Sequence, residues 1–367
     1  MTTGAPVRRL LMTADAVGGV WTFALELAAG LAEHGVQTRL AVLGPPPSAD
    51  QRRKAAAISG LELVVTGHDL EWRDKRGLLD WSGRQRLEAL AEDFRPDIVH
   101  VNGFREAACR WPAPVVVVAH SCVRSWWRAC RACEPPPEWS AYNAAVQTGL
   151  RVADAVVAPT EAFLGELDLL YGPLPKARAI HNGRTLARAA RRQRKPMVLA
   201  AGRLWDEGKN IAALGRVAPL LPWPVAVAGE APRGGALPNL VHLGRLDQDA
   251  LVQAMSEAEI FCAPALYEPF GLAVLEAAMC GAALVLSTAP SFVELWGEAA
   301  RFVDPDDVDG LAGTLLDLIE DPLARQQLQR ASREMAAAYG REGMTEAYLG
   351  LYAELAAGRP RAGARAA

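Results

Sequence analysis

Pro114-Val115-Val116-Val117-Val118-Ala119-His120 is the stretch that decides the fold of this chain. Four consecutive valines leave no polar face, so a strand built from them is covered on both sides, as strands are inside a parallel sheet flanked by helices. Working outward, residues 7–12 carry a strand signal, 19–33 the apolar spacing of a helix, and 36–43 a second strand. That is a βαβ rhythm. Strand signals recur at 61–66, 97–101 and 155–158, helical spacing at 82–94 and 138–153, and Thr160-Glu161 behind Pro159 reads as a helix start.

After His181-Asn182-Gly183 the rhythm breaks. Residues 184–195 include Arg188, Arg191, Arg192, Arg194 and Lys195 and almost no large apolar side chain. The pattern then restarts, with strands expected at 197–201, 225–228, 240–243, 259–263 and 283–286 and helices at 211–219 and 251–258. Beyond Asp306 the chain reads as nearly all helix, ending at 345–357 before a tail of Arg, Pro, Gly and Ala. The division that follows is residues 1–184, a linker at 185–195, a second parallel-sheet domain at 196–340, a final helix at 341–358 and a frayed tail at 359–367. A length of 367 residues suits two α/β domains, at roughly 100–200 residues each.

Composition narrows the function. With 51% hydrophobic and 22% charged residues the chain is globular, and no window approaches the roughly 18 unbroken apolar residues of a membrane span. Lys+Arg 39 against Asp+Glu 42 gives a net charge of -3, so no global field draws a nucleic acid and anion binding has to be local. Six scattered cysteines and no basic-then-apolar leader point to a reducing, cytoplasmic setting. The basic run 184–195 reads as a solvated hinge, with peripheral contact to an anionic membrane face as the other reading. Cys130 and Cys133 have C-x-x-C spacing without a second pair or a histidine cluster, which favours plain thiols over a zinc site.

On open parallel sheets, ligands bind beyond the carboxyl ends of the strands. Four features fall there. Gly18-Gly19 opens a helix after the first strand and would let backbone amides approach a phosphate or a hydroxyl, although a tight turn alone explains the pair and G-x-G-x-x-G is absent. His120 stands at the end of the valine strand, where a ligand or mere packing would use it. Gly202-Arg203, with Lys209 six residues on, places two cations near a helix start; they suit a diphosphate, or else pair with Asp206 and Glu207. The fourth is Glu268-Pro269-Phe270-Gly271-Leu272-Ala273-Val274-Leu275-Glu276. Pro269 and Gly271 leave amides open to an anion, and Glu268 and Glu276 flank it with acceptors for hydroxyls. The alternative makes Glu268 a cap and Glu276 a solvent-facing residue. The apolar neighbours Leu272, Ala273, Leu275, Ala277 and Ala278 argue against an idle carboxylate at 276.

With these residues in view, residues 7–355 resemble a retaining glycosyltransferase of the GT-B fold, family 4 (glycosyl transferases group 1). The E-x7-E element Glu268 to Glu276 carries the resemblance, supported by Gly18-Gly19, His120, His181-Asn182-Gly183, Gly202-Arg203, Lys209 and Phe302-Val303-Asp304-Pro305-Asp306. The resemblance implies two Rossmann-like domains facing across a cleft, with the final helix returning to the N-terminal domain. It implies a nucleoside diphosphate sugar as co-substrate, no bound cofactor and no metal. Glu276 would hold the ribose, Arg203 and Lys209 the diphosphate, Glu268 with the backbone from Phe270 to Leu272 the donor sugar, and Gly229 with Arg245-Leu246 the base. His120 and Gly19 would meet the donor from the other domain. The acceptor, a sugar, glycolipid or small molecule, is not implied, and Trp126, Trp127 and Arg128 match no assigned role. Ser121 after the histidine, and Pro290-Ser291 ahead of Glu294, depart from the family's usual Asp and Gly-Gly. Asp304-Pro305-Asp306 has the spacing of a metal-binding Asp-x-Asp but reads as cap chemistry before the helix at 308–319. The competing readings are a retaining glycosidase using Glu268 and Glu276, and a non-catalytic nucleotide-sugar-binding protein.

Overall fold

The computed structural model describes residues 7–73, 81–186, 193–231 and 235–358. The described residues form two compact units, one from residues 7–125, 134–183 and 341–358, the other from residues 126–133 and 184–340. The expected tail at 359–367 and the basic residues 187–192 lie outside the described residues. No described helix is long and apolar enough to cross a membrane.

The first unit is a seven-stranded, all-parallel sheet. Its strands are β1 (Arg9–Asp15), β2 (Gln37–Leu43), β3 (Leu61–Val65), β4 (Ile98–Val101), β5 (Val115–Val118), β6 (Ala155–Ala158) and β7 (Ala177–Ala179), in the order 3-2-1-4-5-6-7. The four valines of β5 are buried throughout, paired with β4 on one side and β6 on the other. Around the sheet lie α1 (Gly19–Glu33), α2 (Ala49–Ala56), α3 (Trp81–Phe94), α4 (Val123–Arg131), α5 (Ser140–Val152) and α6 (Glu161–Tyr171). Thr160 caps α6 by accepting from Phe163 N, as its sequence signals. The expected helix at 138–153 is α5, preceded by a single tight turn at Pro137–Trp139. α4 begins in the first unit, and from Trp126 on it belongs to the second.

The second unit repeats the plan with β8 (Lys195–Ala201), β9 (Val225–Ala228), β10 (Val241–Gly244), β11 (Ala258–Ala263), β12 (Ala283–Ser287) and β13 (Arg301–Val303), all parallel, in the order 10-9-8-11-12-13. Relative to β8 this is the doubly wound order 3-2-1-4-5-6, which reverses direction between β8 and β11 and so opens a crevice at their carboxyl ends. The helices are α7 (Ile211–Val217), α8 (Gln248–Glu257), α9 (Leu272–Met279), α10 (Pro290–Trp296), α11 (Val308–Glu320) and α12 (Pro322–Ala336).

The last helix, α13 (Arg341–Ala357), packs on α1 in the first unit. Met344, Tyr348, Leu351 and Tyr352 join that unit's core beside Phe23, Ala24, Leu27 and Leu31. The two helices approach so closely at Gly30 that a β-carbon there would sit 2.0 Å from Thr345 Oγ1. Only the absence of a side chain at 30 permits this spacing.

Candidate active site

In the second unit the carboxyl ends of three strands are drawn together by glycine. Gly202 follows β8 with φ +155, Gly229 follows β9 with φ +153, and Gly202 N donates to Ala228 O at 3.0 Å. A β-carbon on Gly229 would lie 2.0 Å from the Gly202 carbonyl, so neither dihedral nor space admits another residue. Gly229 N in turn reaches Gly244 O at 2.9 Å. These contacts fix the turn that starts at Arg203.

That turn is organised by Asp206, which is 9% exposed. Its Oδ1 accepts from Gly208 N at 3.0 Å and from the Trp126 indole at 2.9 Å, and its Oδ2 accepts from the Arg203 guanidinium at 2.7 Å. Burial alone would raise the Asp206 carboxyl, but Arg203, the indole N–H and Lys209 together hold it below its ordinary value. Gly208 O accepts from Leu266 N at 2.9 Å and Tyr267 N at 3.1 Å, which ties the turn to the loop after β11. Lys209 Nζ is thereby carried onto Glu268 Oε2, with which it pairs. Arg203 therefore does pair with Asp206. Lys209 does not take Glu207, whose carboxylate pairs with Arg131 at 2.7 Å instead.

Glu268 is not a helix cap. The residue at the start of α9 is Gly271, with φ +90, and no side chain caps the first turn. A β-carbon at 271 would meet Phe292 at 2.7 Å, so the αL turn needs glycine twice over. The uncapped first-turn amides and the partial positive charge of the helix end lie directly after Glu268 and Pro269 in the chain. Ser291 donates through Oγ to the Glu268 carbonyl. Pro290-Ser291, a departure from the family pattern in the sequence, thus opens α10 and braces the Glu268 backbone.

Glu276, 5% exposed, faces the interior and not solvent. Its Oε1 accepts from Arg184 Nε at 2.7 Å and from Gln248 at 3.3 Å. Arg184 is itself 8% exposed, and its backbone N donates to Tyr339 O at 3.0 Å. Of the basic run at 184–195, the described cations Arg184, Arg194 and Lys195 each have a partner, while residues 187–192 lie outside the described residues. Arg184 holds Glu276, Arg194 donates to the carbonyls of Ala258, Cys280 at 2.8 Å and Gly281 at 2.6 Å, and Lys195 pairs with Glu257 at 2.5 Å. In the turn after β10, Arg245 is exposed, and the side chain that reaches Glu276 is Gln248, the first residue of α8.

Two further expectations are refined. The cap of α11 is Asp307, accepting from Gly310 N at 2.8 Å, while Asp304 turns back to accept from Asp306 N at 2.9 Å. All six cysteines are free thiols. Burial first, and then Asp206 and Glu207, push the Cys130 thiol up to about 12.

In the first unit, Gly18 precedes α1 without a side-chain cap, and Gly19 is exposed. His120 follows the end of β5 and is half-buried. Its Nε2 lies 2.7 Å from Asn102 Oδ1, and the edge of Phe23 packs on the ring at a centroid distance of 4.7 Å. Burial, with a smaller contribution from His100, lowers the imidazole to about 3. The lowered value favours the neutral imidazole, whose Nε2 is engaged with Asn102.

Sequence reasoning misses Arg184, Gln248, Ser291 and Asn102 as site residues and finds in Asp206 only a counter-ion. Arg184 directly follows His181-Asn182-Gly183, and that adjacency is its one local signal. The rest act on partners that local spacing does not reveal.

Two doubly wound, all-parallel sheets in one chain define the GT-B fold of glycosyltransferases. The chain matches Glycosyltransferase Family 4 over residues 17–188 and Glycosyl transferases group 1 over residues 185–335. It is 30% identical to a glycogen synthase of Mycobacterium tuberculosis, covering 78% of this chain and 77% of that protein. It is 28% identical to a D-inositol 3-phosphate glycosyltransferase of Mycolicibacterium vanbaalenii, covering 93% and 86%. Among solved structures, sucrose-phosphate synthase from Thermosynechococcus elongatus superposes with a TM-score of 0.79 at 17% identity, covering 95% of this chain and 99% of that one. The chain belongs to glycosyltransferase family 4 and is a glycosyltransferase enzyme.

Proposed function

We propose that the enzyme transfers a sugar from a nucleoside diphosphate sugar to an acceptor hydroxyl, with retention at the anomeric carbon and without a metal. The observation that carries this reading is the arrangement at the carboxyl edge of the second sheet, where Arg203 pairs with Asp206, Lys209 with Glu268 just ahead of the uncapped α9, and Arg184 with Glu276 inside that helix. Departure of the diphosphate builds negative charge, and two cations and a helix N-terminus directed at it lower the barrier without reorganising. In the structure both cations rest on carboxylates, so the incoming diphosphate shares Arg203 with Asp206 and Lys209 with Glu268. Glu276, held by Arg184, offers its remaining acceptor capacity to the ribose hydroxyls, and Glu268 to the sugar. The turns at Gly229 and at Arg245-Leu246 flank the base. Arginine and lysine suit this task because one grips oxygens in a fork and the other is a compact charge.

A glycosidase reading gives the cations no task. The glycogen synthase, inositol-phosphate glycosyltransferase and mannosyltransferase names among the relatives favour a glycan, glycolipid or sugar-phosphate acceptor. The test is incubation with common nucleoside diphosphate sugars and sugar acceptors in the presence of EDTA, with the product's anomeric proton observed by NMR. A product of the same anomeric configuration as the donor is expected; an inverted product, or activity that EDTA abolishes, contradicts the reading.

A further inference from the structure

A continuous chain of buried hydrogen bonds runs behind His120. Asn102, the residue after β4, donates from Nδ2 to the carbonyl of Thr13 at 2.7 Å, and its backbone N donates to Thr13 Oγ1 at 3.1 Å. A carbonyl can only accept, so the amide nitrogen must face Thr13 and Oδ1 must face the other way. There it meets two imidazoles, His120 Nε2 at 2.7 Å and His100 Nε2 at 3.1 Å. An amide oxygen can only accept as well, so both rings carry their proton on Nε2. His100 Nδ1, left as an acceptor, receives the hydroxyl of Tyr352 in α13 at 2.6 Å. His120 Nδ1 makes no hydrogen bond among the described residues and is not among the buried unpartnered atoms.

We propose that Asn102 is a positioning residue for His120: oriented by Thr13, it fixes the Nε2–H tautomer and so leaves Nδ1 as a lone-pair acceptor for a hydroxyl of the sugar substrate. The last clause rests on the donor reading given above, whereas the tautomer does not. The surroundings keep both rings neutral. Phe23 of α1 packs on His120 and lies 5.9 Å from His100, while Tyr348 and Tyr352 of α13 lie 5.4 and 6.2 Å from His100. Among the described residues no carboxylate or cation shifts either imidazole, and burial lowers His100 to about 4. Substrate therefore meets an acceptor whose tautomer is set by an uncharged amide and whose neutrality is favoured by burial, and α13 supplies the far end of the chain.

The test is ring-15N histidine labelling of the full-length protein without substrate, with the six histidines assigned by single His→Gln variants. Neutral, Nε2–H signals for His100 and His120 that do not titrate between pH 5 and 8 are expected. An Nδ1–H tautomer at His120, or an ordinary titration there, overturns the proposal. Asn102→Asp supplies the kinetic arm. A carboxylate between the two rings draws a proton onto an imidazole, so kcat/KM for the donor should fall at least tenfold at pH 7 and recover as pH rises. A pH profile parallel to that of the unaltered enzyme overturns the positioning role. If that variant does not fold, the spectra of the unaltered protein still decide. Correct tautomers in a protein that binds no nucleotide sugar would instead count against the donor reading alone.

Discussion

The two sheets share one architecture and solve the problem of a polar site in opposite ways. At the carboxyl edge of the second sheet the groups of the candidate site are charged and paired, Arg203 with Asp206, Lys209 with Glu268 and Arg184 with Glu276. At the carboxyl edge of the first, Asn102, His100, His120 and Tyr352 form a neutral chain with no ion in it. Under the proposed function, the difference assigns the handling of charge change to the second unit. A site built on ion pairs can exchange one anion for another at modest cost, because each cation already has a partner and is never stranded. A site built on neutral hydrogen bonds in a low-dielectric wall holds a fixed donor and acceptor pattern instead.

The contrast yields predictions in descending size. Lys209→Ala or Arg203→Ala should cut turnover by about a hundredfold or more, since each removes a group directed at developing charge; steady-state kinetics checks this, and an unchanged kcat would break the electrostatic half of the comparison. Arg184→Ala leaves the buried Glu276 carboxylate without its counter-ion, with Gln248 still donating to it, and should destabilise the protein by about 3–5 kcal/mol, read from denaturant midpoints. The matching change on the neutral side, Tyr352→Phe, keeps the shape and strands only His100 Nδ1, so the loss should be about 1–3 kcal/mol. Equal losses from the two variants would erase the distinction. Gly30→Ala sharpens a third point: its methyl group would strike Thr345, and overpacking of this kind costs about 1–3 kcal/mol, which would show as a lower Tm.

The pH dependence follows with a definite sign. His100 and His120 bind protons less readily folded, at about 4 and about 3, than unfolded, near 6.5. Below pH 6.5 the unfolded chain holds more protons, so their contribution to stability is whole above that value and is lost as pH falls toward 4. Unfolding free energies at pH 7 and pH 5 should differ more in the unaltered protein than in His120→Gln.

Much of the fold is legible in the amino-acid sequence. Ala155–Ala158 and Val225–Ala228 coincide with their sequence signals because short apolar runs buried on both faces leave no other reading. β7 and β13 are not legible; each has three residues and sits at a sheet edge, where burial on one side relaxes the pattern. α2 is a polar surface helix with little apolar spacing, yet Ser48 and Gln51 form a capping box that the sequence displays. α4 is hidden by its composition of Trp and Arg. In the site, Glu268, Glu276, Arg203 and Lys209 are legible because glycine and proline mark the turns that present them. Their partners are not. Trp126 meets Asp206 across 80 residues, Arg184 meets Glu276 across 92, and Tyr352 meets His100 across 252. No local pattern encodes contacts that only the completed sheet order brings together.

The central claim, that the second sheet's edge is the nucleotide-sugar site, is tested most directly by calorimetry of UDP, GDP, ADP and TDP and their common sugars against the protein and its Glu276→Ala variant, with EDTA present. Selective binding of one nucleotide series that the variant loses is the predicted result. Binding that is unaffected by Glu276→Ala, or binding of none of them, would contradict it.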